Sequence, residues 1–280
     1  IDNLKLRGNC GSLGNGGVTP YSYLETIGID RSTVIFDGGY ANVAGIPSIV
    51  PDSLTWERIM TWDVGVDMDF FKSRLSFSGD YYVRYTNDMY SSGPELPAIL
   101  GASTPKGNYG QLTTKGWELT LSWRDAFKVA GKDFTYSVKG SLWDNRTWVT
   151  EFNSTSNNVF GYYEGKEIGE IWGFRTDGLF QTNEEAAAWY PDKYHNLSTP
   201  GNIPFAGDIK FLDIDDTKEI TAGAGTLEDH GDLDRIGNIM PRYQYGLNID
   251  MKWNGIGLSI FFQGIGHRDW YPSEGTGFFW

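Results

Sequence analysis

Apolar and polar residues alternate along several stretches of this chain. Trp62, Val64, Val66, Met68 and Phe70 interleave with Asp63, Gly65, Asp67 and Asp69. Leu75, Phe77, Tyr81, Val83 and Tyr85 follow, set against Arg74, Ser76, Ser78, Asp80 and Arg84. The pattern recurs at Trp117, Leu119, Leu121 and Trp123, at Phe134, Tyr136, Val138 and Leu142, and at Tyr243, Tyr245, Leu247, Ile249 and Met251. Shorter versions occur at Leu258, Ile260 and Phe262 and at Leu4 and Leu6. A period of two sends successive side chains to opposite faces, so each stretch predicts a strand with one apolar and one polar face. One short helix is expected where Thr182 and Glu185 have capping-box spacing ahead of Ala186, Ala187 and Ala188.

Alternation alone fits a membrane barrel or a soluble sandwich; the connections separate them. Short links are expected at Phe71 to Ser73, Asp125 to Asp133 and Asn254 to Gly257, and long ones at Gly11 to Thr61, Asn87 to Lys115 and Asn145 to Pro241. In an up-and-down meander every second connection lies on one side, so all short links share one rim and all long loops the other. Outer-membrane barrels have this asymmetry, whereas a Greek-key sandwich has no reason for it. The strand lengths suit tilted strands crossing a bilayer. Trp62, Tyr85, Trp117, Trp123, Tyr243 and Trp253 stand at strand ends, where interfacial aromatics belong. The expected fold is all-β: part of a large antiparallel up-and-down transmembrane β-barrel with long extracellular loops, located in the outer membrane and in contact with the lipid bilayer. The alternative is a secreted soluble β-sandwich carbohydrate-binding module, which would need no detergent.

Composition narrows the function. Aromatics at 15% and 36 glycines favour strands, turns and interfaces over helix bundles. A net charge of -13 without a basic cluster speaks against nucleic acid. Cys10 is the single cysteine, so no internal disulfide forms, and with His195, His230 and His267 it supplies no zinc-type spacing. No apolar run reaches the length of a membrane helix; the densest lies around Leu258 to Phe262. The chain starts at Ile1 without a signal peptide, and an exported barrel needs one, so a processed or truncated sequence is expected.

Catalytic signatures are absent. The many carboxylates lie on alternate strand positions or in loops, as a polar lumen requires, and no nucleophile elbow occurs. The expectation is therefore no enzyme. Gly8, Gly11, Gly14, Gly16 and Gly17 lack the following helix and Lys-Ser/Thr pair of a phosphate loop, and read as a turn with a corner at Asn15-Gly16. Arg74, Asp80, Arg84, Glu118 and Lys139 are candidates to line the lumen or to pair with one another. In the longest loop, Tyr162, Tyr163, Trp172, Phe174, Trp189 and Tyr190 are candidates for substrate contact by ring stacking, or else pack that loop internally.

A resemblance then enters. Leu54-Thr55-Trp56-Glu57 and Thr61-Trp62-Asp63-Val64-Gly65-Val66-Asp67 resemble the L-x-W-E … T-x-x-x-N-x-G-x-D block of SusC/RagA-type TonB-dependent transporters. Arg74-Leu75 to Asp80-Tyr81-Tyr82, with Thr86-Asn87-Asp88-Met89, resembles that family's next hairpin. Asn108-Tyr109-Gly110 with Lys115-Gly116-Trp117-Glu118-Leu119 resembles its N-x-G-x-x-x-N-K-G-x-E segment. Ile171-Trp172-Gly173-Phe174, Asp177-Gly178-Leu179-Phe180-Gln181, Gly207-Asp208-Ile209-Lys210-Phe211, Gly237-Asn238 with Pro241, and Gln263-Gly264 with Arg268-Asp269-Trp270-Tyr271 follow in order. Such transporters have about 22 strands around a plugged lumen. The resemblance implies that residues 1–280 form a partial barrel domain, with the plug domain and closing strands absent. It also implies energised import of glycans or peptides in a Bacteroidetes-type bacterium. The implied partners are a SusD-like surface lipoprotein as lid, TonB-ExbB-ExbD acting through the plug, and an oligosaccharide or peptide substrate. Asp213-Ile214-Asp215-Asp216-Thr217-Lys218-Glu219 stands where the family often carries a D-x-N-G-D-G loop. Asp213, Asp215 and Glu219 are the candidate Ca2+ ligands, but Lys218 replaces the turn glycine, so a solvated acidic loop without cofactor is the simpler expectation.

Overall fold

The computed structural model describes residues 1–17, 21–47, 49–51, 54–94, 96–97, 99, 101, 104–154, 156–189, 204–217 and 219–271. The elements run β1 (Asn3–Asn15), β2 (Ile29–Phe36), β3 (Gly39–Ala44), β4 (Glu57–Phe70), β5 (Leu75–Ser92), β6 (Lys106–Val129) and β7 (Lys132–Glu151). Then come β8 (Glu170–Phe174), β9 (Thr176–Leu179), α1 (Asn183–Trp189), β10 (Ile209–Phe211), β11 (Leu233–Asn238), β12 (Arg242–Trp253) and β13 (Ile256–His267). The chain divides into two compact units, Ile1–Thr155 with Tyr243–Gly264, and Ser156–Arg242 with Ile265–Trp280.

The first unit is built on a seven-stranded sheet of order β1-β4-β5-β6-β7-β12-β13. The pairings from β1 through β12 are antiparallel and keep the two faces in step. Leu6, Val66 and Gly79 share one row, and Leu119, Leu142 and Tyr245 continue it. On the other face Ser78, Thr120 and Ser141 are aligned likewise. A sandwich would seal the apolar row against a second layer. Here Leu6 is 77% exposed, Val64 61% and Leu121 51%. The sheet therefore presents a greasy face outward, which water does not tolerate and lipid does.

At the short-turn rim the outward aromatics pack together. Phe71 lies 6.2 Å from Trp123, and Phe127 lies 5.0 Å from Phe134 and 6.1 Å from Tyr136. The Trp123 Nε1–H donates to the Tyr136 hydroxyl at 3.0 Å and that of Trp253 to the Val129 carbonyl at 3.3 Å. Rings with a polar tip suit the bilayer boundary, where one side is wet.

The hairpins are tighter, and the strands longer, than alternation suggests. β6 runs on to Val129, so the expected link from Asp125 to Asp133 shrinks to Ala130-Gly131, both at positive φ (51° and 77°). Asn254-Gly255 repeats that geometry at 49° and 83°, matching the twist of the flanking strands. On the opposite rim β5 extends to Ser92, β6 starts at Lys106 and β7 reaches Glu151, so the long links are shorter than expected. The backbone keeps pairing past the end of the apolar pattern, because ladder hydrogen bonds do not require an apolar face. Gly8, Gly11 and Gly14 accordingly lie inside β1, with the strand ending at Asn15. Arg74 lies in the turn before β5, paired with Asp125 at 3.3 Å, rather than on a strand face.

The second unit carries the hairpin-like pairs β8–β11 and β9–β10 and the helix α1. The Thr182 Oγ1 accepts the Glu185 N–H at 3.1 Å, while the Glu185 carboxylate accepts the Gln181 N–H at 2.9 Å, one residue earlier than a reciprocal capping box. Among the described residues the buried hydrophobics are Val149, Val159, Tyr163, Phe180, Ala186, Ile220 and Leu233. All but Val149 belong to this unit. It has an interior of its own, whereas the sheet relies on lipid for its apolar surface.

Candidate functional site

Much of the polar face of the sheet is tied together by hydrogen bonds. Arg7 on β1 reaches Asp67 at 2.8 Å and Asp80 at 2.8 Å, and donates to the Ser78 hydroxyl at 3.2 Å. Gly65 makes this crossing possible: a Cβ there would lie 2.2 Å from Asp80 Oδ1 and 2.8 Å from Arg7 Nη2. Gly116 likewise leaves room for the Tyr82 ring, 2.5 Å from where its Cβ would be. Asn9 donates to Asp63 at 3.0 Å, Ser76 to Asp69 at 2.7 Å, and Thr120 pairs with Ser141 at 3.2 Å. Of the expected lumen residues, Asp80 is in the Arg7 cluster and Arg84 lies 5.7 Å from the Tyr82 ring; Glu118 and Lys139 are exposed. A polar face backing an apolar one is the two-sided pattern of a membrane β-barrel strand.

A cavity of about 500 Å³ opens at the long-loop rim of the same unit. Tyr21, Tyr23, Trp56 and Tyr90 line it, with Asn15, Glu57, Asp88 and Asn108 as its polar groups. Asn108 holds the wall in place. Its Oδ1 accepts the Thr55 N–H at 2.8 Å, and its Nδ2 donates to the carbonyls of Thr55 at 2.9 Å and Asp88 at 2.5 Å. The Trp56 ring stacks so closely on Gly16 that a Cβ there would meet it at 2.6 Å, yet Trp56 remains 70% exposed. Fixed aromatic planes beside carboxylate and amide oxygens suit a neutral polyol. Sequence reasoning missed this site because its parts come from the end of β1 and the link after it, from the segment leading into β4, and from the far ends of β5 and β6. The only signal was the run of aromatics Tyr21, Tyr23 and Trp56 in one long link.

The six aromatic candidates separate. Tyr162 is exposed, at 56%. Tyr163 is buried, with its hydroxyl against Glu170, and Trp172 Nε1 donates to Glu170 at 2.8 Å. Burial, then the Glu170 hydrogen bond, pushes the Tyr163 pKa up to about 12. Lys166 donates to the carbonyls of Val159 and Gly161 at 2.8 and 2.6 Å, and burial holds its pKa below the usual lysine range. Phe174 packs on Phe211 at 5.7 Å and Trp189 on Phe180 at 5.5 Å. Tyr190 lies outside the described residues.

Asp213 and Asp215 come together with Asp232, their carboxylate oxygens within 4.8 Å of one another; Glu219 is not in this group. Asp232 is fully buried, and its two oxygens accept the N–H groups of Ile214 at 2.6 Å and Thr221 at 2.8 Å. The Thr217 hydroxyl, at 2.7 Å, is the first cause that holds the Asp215 pKa below the ordinary carboxylate range. These acids organise the turn through hydrogen bonds of their own. Asp232 escaped the sequence reading because it is distant in the chain.

Comparison with known proteins places this architecture. The family model described as TonB dependent receptor-like, beta-barrel, matches residues 1–278. TonB-dependent receptor P3 of Formosa agariphila is 27% identical over 279 residues, covering 94% of this chain and 25% of its own length. TonB-dependent receptor SusC of Bacteroides thetaiotaomicron is 24% identical over 172 residues, covering 60% of this chain and 17% of its own length. The RagAB peptide importer in its open-open state superposes with a TM-score of 0.68 at 19% identity, covering 94% of this chain and 26% of that one. This chain thus spans about a quarter of the length of the curated relatives it matches over nearly all of its own.

Proposed function

The chain belongs to the TonB dependent receptor-like β-barrel family, and we propose that the protein imports glycans across the outer membrane as a SusC/RagA-type transporter. The observation that carries the reading is the two-sided sheet: an open apolar face for lipid, backed by a continuous polar face for a passage. The barrel lies in the outer membrane, as its family does. A SusD-like lipoprotein would close the long-loop side, and TonB-ExbB-ExbD would supply energy through a plug domain. Glycans are preferred to peptides because Trp56, Tyr21 and Tyr23 offer stacking planes beside Glu57, Asp88 and Asn108. Tyr162 is a further exposed ring for the same task. The named relatives are receptors, and no catalytic step forms part of this reading.

The test is uptake of labelled neutral oligosaccharides and of labelled peptides by cells producing the protein. Trp56→Ala should raise the KM for oligosaccharide roughly three- to tenfold, the effect of losing one stacking ring, at unchanged levels of protein in the membrane. Loss of peptide uptake alone would reassign the substrate class. Equal uptake of both by cells lacking the gene would overturn the importer reading.

A further inference from the structure

The outward face of the sheet holds a charge arrangement that neither lipid tails nor a lumen explains. One row beyond Trp117 on the long-loop side, Lys115 and Arg146 share the outward row of Trp62 and Val83, and Arg58 stands further along β4 on the same face. From that row to Arg58, Tyr85, Thr113 and Trp148, the outward positions of β4 to β7 carry no carboxylate; the nearest is Asp144, opposite Trp117 one row inward. Lys115 and Arg146 are direct cross-strand partners, and both are exposed. Like charges placed opposite one another in an antiparallel pair destabilise it. In a chain of net charge -13 they need a local reason.

We propose that Lys115 and Arg146 bind the phosphate of an anionic lipid in the outer leaflet. Their height fits. Asp125 stands on the same face of β6 ten residues from Lys115, amid the short-rim aromatics. Ten residues at about 3.4 Å each, tilted by about 40°, rise roughly 25 Å, the height of a barrel's apolar band. Lys115 and Arg146 therefore stand at the opposite headgroup level from Asp125, on the side of the long extracellular loops.

The chemistry fits as well. The Arg146 guanidinium lies 5.2 Å from the centre of the Trp148 ring, which holds its planar fork against the sheet surface. Lys115 supplies a compact point charge across the strand pair. Asp144, two residues inward on the same face of β7, is buried and accepts the Tyr243 N–H at 3.3 Å. The three together carry one positive charge in excess. A lipid phosphate resting above Trp117 meets both cations, and its acyl chains continue down Leu119 and Leu121, which are themselves exposed.

The experiment uses the protein purified from outer membranes in detergent. Binding is measured to phosphatidylcholine nanodiscs containing bis-phosphorylated lipid A or its dephosphorylated form, with Lys115→Ala/Arg146→Ala compared against the lumen-face variant Lys139→Ala. The expected result is preference for the phosphorylated lipid, weakened roughly thirtyfold in the double variant by loss of two interfacial cations, and unchanged in Lys139→Ala. Equal binding of the two lipids, or an unaffected double variant, would overturn the proposal. So would displacement of the lipid by inorganic phosphate at matched concentration, which would assign a soluble anion. Should the double variant not assemble, Lys115→Arg/Arg146→Lys decides. Retained preference supports the site, and loss of preference in that assembled variant counts against it.

Discussion

At the scale of single residues, the pleat determines what a substitution meets. Leu247 lies opposite Gly140 on the apolar face, and Asn248 opposite Lys139 on the polar face. Leu247→Arg is expected to cost about 2–4 kcal/mol near mid-bilayer. Asn248→Arg sets a cation against Lys139, at a cost of about 1 kcal/mol or less. Heat-modifiable mobility of the membrane-extracted protein should separate the two, and equal sensitivity at both positions would argue against the barrel. Gly65→Ala should also destabilise, by roughly 1–3 kcal/mol, since overpacking forces local shifts. A Cβ at that position occupies the space of the Arg7–Asp80 ion pair. A melting temperature equal to wild type would show that the pair can move aside.

At the scale of elements, the hairpins and the small polar network of the second unit invite separate tests. Gly255 has φ of 83° in the two-residue turn between β12 and β13. Gly255→Ala should slow assembly and lower stability by about 1 kcal/mol or more, because a side chain is strained in that region. In the second unit, the Tyr163 pKa is raised to about 12 by burial and the Glu170 hydrogen bond. The fold thus favours the neutral phenol. That contribution is complete below the unfolded tyrosine pKa of about 10, and disappears as pH climbs through about 12. Tyr163→Phe should remove this alkaline loss from a pH titration of tyrosine absorbance and near-ultraviolet dichroism, and an unchanged curve would place the loss elsewhere.

At the scale of the whole molecule, the solvent of the apolar face is the main question. Leu6, Val64, Leu121, Leu258 and Phe262 are all more than half exposed, and among the described residues β1 and β13 each have a single neighbour in the sheet. Residues 1–280 produced alone in water should therefore aggregate through edges and greasy surface together. Detergent should keep them dispersed, as size-exclusion chromatography would report. A monodisperse monomer in plain buffer would instead support a soluble module.

The alternation of Trp62 to Phe70, the short links opposed to long ones, and the cap at Thr182 were legible in the sequence alone. They arise from local physics: the pleat repeats every two residues, a turn needs particular φ values, and a cap lies three residues from its partner. Tertiary structure decided the rest. Whether Arg7 meets Asp80, whether Asn108 clamps Thr55 beside Trp56, and that Asp232 rather than Glu219 joins Asp213 and Asp215 depend on register and chain return over tens of residues. Period two fixes which face a side chain takes but leaves open which strand lies beside it. For that reason the two faces could be read in advance, whereas the cavity at the rim and the paired cations Lys115 and Arg146 became visible only once the strands were aligned.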